Sequence, residues 1–135
     1  MARAKRLVGD VVVLDDPANA AAMSCLLDDA IAAAILPKTP LACGGHLWCE
    51  QSHALWSIDL DSHGVTDFDQ LFDEAASEIA QQIRLRAMSG PVLIDVPRMA
   101  IPKGKKFRKA LQVALANDPR QLDFLGMTRG GLLEL

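Results

Sequence analysis

Apolar residues recur along this chain in two rhythms, and each predicts a different kind of element. Val11-Val12-Val13-Leu14 makes Leu7 to Leu14 an apolar run of strand type. Asp15-Asp16-Pro17 then supplies an N-cap and a proline for a first helical turn. Met23, Leu26, Leu27, Ala30, Ile31, Ala34 and Ile35 follow at helical spacing, predicting a helix from about 17 to 36 that Pro37 and Pro40 end. Gly44-Gly45 opens a turn into a short strand, His46 to Glu50. Gln51-Ser52-His53 separates this from a second strand, Ala54 to Asp61, so the two should form a hairpin.

The second half repeats the alternation. Asp67, with Gln70 in the matching position, reads as a capping box. Phe68, Phe72, Ala75, Ile79 and Ile83 mark one helical face as far as Met88, where Ser89-Gly90 ends the helix. Gly90 to Pro97 is a strand and Pro97 to Gly104 a loop. Lys105 to Asn117 is a helix with Phe107, Ala110, Leu111, Ala114 and Leu115 inward, stopped by Asp118-Pro119. Gln121 to Met127 and Gly131 to Leu135 read as closing strands joined by Thr128-Arg129-Gly130. Strand, long helix, strand is the βαβ unit, whose strands run parallel. The expected fold class is α/β: a single domain over 1–135, a mixed sheet with a parallel βαβ centre, antiparallel edge strands and flanking helices.

Composition narrows this little and charge narrows it more. A chain of 135 residues that is 50% apolar and 23% charged can build one core and is not of the disordered class. Neither a membrane span nor a signal peptide is read from it, so a cytoplasmic protein is expected. The net charge of −3 does not suit a general nucleic-acid coat, although an acidic metal site would lower the charge equally. Cys25, Cys43 and Cys49 lack a Cys-x-x-Cys spacing and read as free thiols, with core packing favoured over metal ligation.

The candidate chemistry sits where two apolar runs end on aspartate, Trp56-Ser57-Ile58-Asp59 and Val92-Leu93-Ile94-Asp95. Ligands collect at the carboxyl ends of such strands, and paired carboxylates suit a hard cation such as Mg²⁺, with Mn²⁺ an alternative. Asp61 shares a strand face with Asp59 and is either a third ligand or a turn residue. Lys103, Lys105, Lys106, Arg108 and Lys109 form a basic cluster, either a phosphate seat at a helix start or a solvated face. His63 is a turn histidine that could shuttle a proton, with plain exposure the bland alternative; His46 and His53 are given no role. Trp48 and Trp56 are read as sheet-face core residues before base-stacking ones.

Taken in order, the aspartate strands and the helix between them, closing on Gln81-Gln82-Ile83-Arg84-Leu85-Arg86, resemble the catalytic core of the ribonuclease E/G family. The likeness takes in Leu27 to Ile31, Pro37 to Leu41, Gly44-Gly45, Ala75 to Arg86, Phe107 to Asp118 and Gly130 to Leu135. It covers roughly residues 26 to 135 and corresponds to the deoxyribonuclease-I-like subdomain. The resemblance implies Asp59 and Asp95 as catalytic metal ligands with Asp61 assisting. It implies Arg84 or Arg86 along single-stranded RNA, where the basic cluster of Lys103, Lys105, Lys106 and Arg108 would join it. Asp61 replaces the family's asparagine, adding negative charge, and Asp69 to Asp73 lacks a lysine and an asparagine of the family pattern. The family's oligonucleotide-binding-fold domain, 5′-end sensor and paired-cysteine zinc link have no counterpart in these residues.

Two functions follow. One is a divalent-metal-dependent endoribonuclease core acting on single-stranded RNA. The other is a non-catalytic module of the same family that binds RNA or a protein in a larger assembly. A homodimer or hetero-complex is expected, because the apolar content is high and the terminal strand Gly131 to Leu135 offers an open edge.

Overall fold

Alternation and helical spacing both translate into the expected elements in the computed structural model, which describes residues 17–97, 101–116, 118 and 122–135, the side chains of 101–103 excepted. The strand expected over Leu7 to Leu14 lies outside the described residues. The chain divides into two compact units, Met1–Ala33 and Ala34–Leu135. In the first, helix α1 (Pro17–Ala34) forms as its spacing predicts, and none of its residues is buried. Cys25 on this helix is exposed, so core packing does not hold for it, whereas Cys49 is buried in the sheet as expected.

The second unit is a six-stranded mixed sheet in the order β1-β2-β3-β4-β6-β5. Its strands are β1 (Lys38–Pro40), β2 (His46–Gln51), β3 (Trp56–Asp61), β4 (Val92–Asp95), β5 (Gly126–Met127) and β6 (Leu133–Glu134). Helix α2 (Phe68–Leu85) joins β3 to β4, and α3 (Ile101–Leu115) follows β4. β3 and β4 pair in parallel, and the other neighbours pair antiparallel. That is the expected class, with the two aspartate strands adjacent.

Burial alternates strictly along β3: Trp56, Ile58 and Leu60 are covered, and Ser57, Asp59 and Asp61 are exposed. The covered face packs on Leu71, Phe72, Ala75, Ile79 and Ile83 of α2 and on Phe107, Leu111 and Leu115 of α3. These are the positions the helical spacing singles out. Phe72 and Phe107 meet edge to face with ring centroids 5.5 Å apart, tying the helices together. Truncating either ring to alanine would cost about 3–5 kcal/mol. The opposite face of the sheet carries mostly polar side chains.

The differences from expectation have local causes. The segment after α1 contains a short edge strand, β1, despite Pro40, because an edge strand pairs on one side only. Helix α3 begins at Ile101 rather than Lys105, since Pro102 is tolerated in a first helical turn. Asp67 caps α2 by accepting from the backbone N–H groups of Asp69 and Gln70. The Gln70 side-chain amide donates to Glu74, one turn further along the helix. Helix α2 ends at Leu85, and Ala87, with φ +48, carries the turn that follows. The closing strands are shorter than expected, and β6 lies between β4 and β5. The terminal strand is therefore not an open edge: its end is paired through reciprocal bonds between Leu135 and Val92.

Candidate functional site

The site follows from the sheet register. Asp59 of β3 lies directly beside Asp95 of β4, as Ile58 lies beside Ile94. Neighbouring strands are about 4.8 Å apart, so the two aspartates issue side by side from the exposed face. Both are exposed, and each is flanked by a buried apolar neighbour in its strand. Burial raises the Asp59 pKa above the usual carboxylate value, and the negative charges of Asp95 and then Asp61 raise it further. A carboxylate repelled by two others is a group that a cation would relieve. Asp61 is also aimed into its own turn, where its Oδ1 accepts the His63 backbone N–H at 2.9 Å.

A cleft of about 780 Å³ opens at the carboxyl ends of β3 and β4. Asp59 and Asp95 line it together with Pro97, Lys105, Arg108 and Gly131. Two cations from the first turns of α3 thus share a cavity with the carboxylate pair. Such a cavity can hold an anionic ligand against cationic side chains while its carboxylates take a metal.

The remaining basic residues go elsewhere. Lys106 pairs with Asp69 at 3.2 Å, on the side of α3 that faces a groove against α2. The side chain of Lys103 is among those not described. Arg86 is bound within the protein: its Nε donates to the Gln82 side chain and its guanidinium donates to the Leu36 carbonyl. Arg84 lies 3.8 Å from Asp118. Arg84 sits in the last turn of an 18-residue crossover helix, about 27 Å long, and Arg86 is its C-cap. Because that helix runs antiparallel to the strands it joins, its last turn falls toward the opposite end of the strands from Asp59 and Asp95.

Trp56 is core, as expected, but Trp48 is not. Trp48 is the register partner of Asp59, shares its exposed face and is 39% exposed, with the Lys38 ammonium 5.2 Å from its ring. Alternation alone puts Trp48 opposite to Leu47 and Cys49, both buried, and that signal was available in the sequence.

His46 and His63, which the sequence reading left without a metal role, meet at this end of the sheet. His46 is the cross-strand partner of Asp61. One ligand atom from each of His46, Asp61 and His63 lies within 4.8 Å of the others.

Comparison with known proteins agrees with this architecture. A profile described as "Ribonuclease E/G family" matches residues 4–135. Ribonuclease E of Nostoc is 32% identical over 122 residues, which cover 81% of this chain and 17% of that protein. Ribonuclease E of Escherichia coli is 28% identical over 117 residues, and ribonuclease G of Haemophilus influenzae 27% over 117, each across 81% of this chain. The chain spans 11% of the former and 24% of the latter. With a profile match along almost its whole length, this chain belongs to the ribonuclease E/G family.

Proposed function

We propose that the chain is the metal-binding core of an endoribonuclease that cleaves single-stranded RNA by phosphodiester hydrolysis, working in the cytoplasm. The observation that carries this reading is the convergence of a side-by-side Asp59–Asp95 pair with Lys105 and Arg108 on one cleft. The pair fits a hard divalent ion, because its donors are all carboxylate oxygens, and burial, with the charges of Asp95 and Asp61 added to it, raises the Asp59 pKa. Mg²⁺, or Mn²⁺, would be held by Asp59 and Asp95, with Asp61 nearby. When bound it supplies Lewis-acid polarisation of a phosphoryl oxygen and a lowered pKa for an attacking water.

The chain's own residues do the rest. Lys105 and Arg108 hold phosphate oxygens and oppose the charge of the carboxylates, Arg108 through its planar fork. Trp48, on the same face as Asp59, offers a flat surface on which a base can stack. Arg84 and Arg86 take no part in this reading, since the crossover helix carries them toward the other end of the strands and Arg86 is bound to Gln82 and Leu36. Ser57, Asp59 and Asp61 alternate with buried residues, so the site rests on a rigid strand and not on a loop.

A second reading has one observation in its favour. The face around Asp59 is acidic, with Asp61 on the same strand and Asp95 beside it. A non-catalytic RNA- or protein-binding module within a homodimer or hetero-complex would fit that. Incubation of the protein with end-labelled single-stranded RNA and Mg²⁺ separates the two. Cleavage that disappears in Asp95→Asn is the expected result. Intact RNA held in a stable complex by both proteins would favour the module. Light scattering tests the assembly, for which a single mass near 14.6 kDa would exclude a homodimer.

A further inference from the structure

We propose that His46, Asp61 and His63 form a second cation site, of mixed nitrogen and oxygen donors, that takes a borderline transition ion such as Zn²⁺. The inference does not depend on RNA cleavage, and its readout is metal binding alone.

Three independent pieces of backbone geometry bring these residues together. The antiparallel register of β2 and β3 sets His46 directly opposite Asp61, where paired side chains start about 4.5–5.5 Å apart. The turn after β3 then folds His63 back onto the strand end. The Asp61 carboxylate accepts the His63 N–H at 2.9 Å, and the Val65 N–H closes the turn on the Ser62 carbonyl at 2.8 Å. His63 itself adopts φ +41, a left-handed conformation that costs a non-glycine residue about 1–2 kcal/mol. The outcome is an edge-to-face contact between the two imidazoles, with ring centroids 5.3 Å apart.

The three ligand atoms lie within 4.8 Å of one another. Small side-chain rotations bring such a set to the separation of about 3.3 Å that ligands have around a tetrahedral ion with 2.0–2.1 Å bonds. Among the described residues, His46 Nδ1 is the one buried side-chain nitrogen or oxygen without a hydrogen-bond partner. Buried polar atoms are almost always satisfied, and a cation at the histidine is one way to complete it.

The donor set decides the class of ion. Two imidazoles and one carboxylate favour Zn²⁺, Ni²⁺, Co²⁺ or Cu²⁺ over Mg²⁺, which prefers oxygen and water. The Asp59–Asp95 pair offers only oxygen and would select the opposite way. Three protein ligands also leave at least one coordination position for water. This face of the sheet would then hold two chemically distinct ions on neighbouring residues of one strand.

Titration of Zn²⁺ against a chromophoric chelator, with Co²⁺ absorption as a report of ligand geometry, tests the proposal. One Zn²⁺ per chain is expected. His63→Gly suits the left-handed backbone and keeps the turn, yet should weaken binding by more than about 100-fold, beyond what a change outside the ligand set usually costs. His46→Ala should do the same, with far-UV circular dichroism confirming that each variant is folded. Asp59→Asn and Cys43→Ser should retain the site. Unchanged affinity in folded His63→Gly, loss of binding in Asp59→Asn or Cys43→Ser, or no binding at micromolar concentration would each overturn it.

Discussion

Asp59 and Asp95 are register partners across the parallel pair of strands, so two carboxylates occupy neighbouring positions on one exposed face. Their repulsion has a consequence for stability. Burial first, then Asp95 and Asp61, raise the folded-state pKa of Asp59 above its ordinary value. A carboxyl raised in this way binds its proton more tightly in the folded chain than in the unfolded one. Ionised Asp59 therefore costs stability at neutral pH, and the cost fades as pH falls through the raised value toward the unfolded one.

Replacing Asp59 by Asn should accordingly raise the melting temperature of the metal-free protein at neutral pH. The advantage should shrink toward the ordinary carboxylate range. Adding Mg²⁺ should reverse the order, stabilising the wild type and leaving the variant unmoved. Thermal melts in chelator and in Mg²⁺ measure this. A variant that melts below the wild type in chelator would show that the repulsion is not felt.

Lys105 and Arg108 line the cleft, whereas Lys106 is paired with Asp69. Alanine at Lys105 or Arg108 should weaken single-stranded RNA binding in Mg²⁺ and reduce its salt dependence. Alanine at Lys106 should change little. Trp48→Ala should cost about 1–3 kcal/mol of binding if one base stacks on it. Filter binding across a salt series distinguishes the four variants, and an equal effect at Lys106 would place the RNA on the other side of α3.

Gly45 sits where the chain enters β2, and a Cβ there would lie 2.6 Å from Leu71 Cδ1 and 3.0 Å from the Asp61 carbonyl. Leu71 is fully buried, so it has little room to retreat. Gly45→Ala should destabilise the protein by about 1–3 kcal/mol through overpacking. Urea unfolding gives the number, and a neutral result would mean that the β2 entrance is looser than its contacts.

Ala87 ends α2 in the left-handed conformation, with φ +48. The Met88 N–H bonds the Ile83 carbonyl and the Ala87 N–H bonds the Arg84 carbonyl, the Schellman pattern in which glycine is preferred. Ala87→Gly should stabilise the protein by up to about 1 kcal/mol, because glycine reaches this backbone without a Cβ penalty. The same urea series reads it as a higher midpoint at unchanged slope.

The legible parts of the fold were those carried by local periodicity. Phe72, Ala75, Ile79 and Ile83 on α2, and Phe107, Leu111 and Leu115 on α3, are spaced for one helical face and are the residues found buried. The strand ends at Asp59 and Asp95 were legible for the same reason, since a helix between two apolar runs implies parallel strands opening at one edge. That geometry also implies that Arg84 and Arg86, at the end of the crossover helix, lie toward the other end of the strands.

Spacing along the chain was enough for the α/β class, the βαβ centre and two parallel strands that each end on an aspartate, because these depend on near neighbours and on the direction of one connecting helix; the side-by-side register of Asp59 and Asp95 came from the fold. Contacts between distant residues chose which face of the sheet the helices cover. They decided that β6 lies inside the sheet and that Lys105 and Arg108, but not Lys106, reach the cleft. They also set His46 against Asp61 and His63. Register between strands and the path of a turn are chosen by contacts between residues distant along the chain, and no local rhythm of apolar and polar positions encodes them.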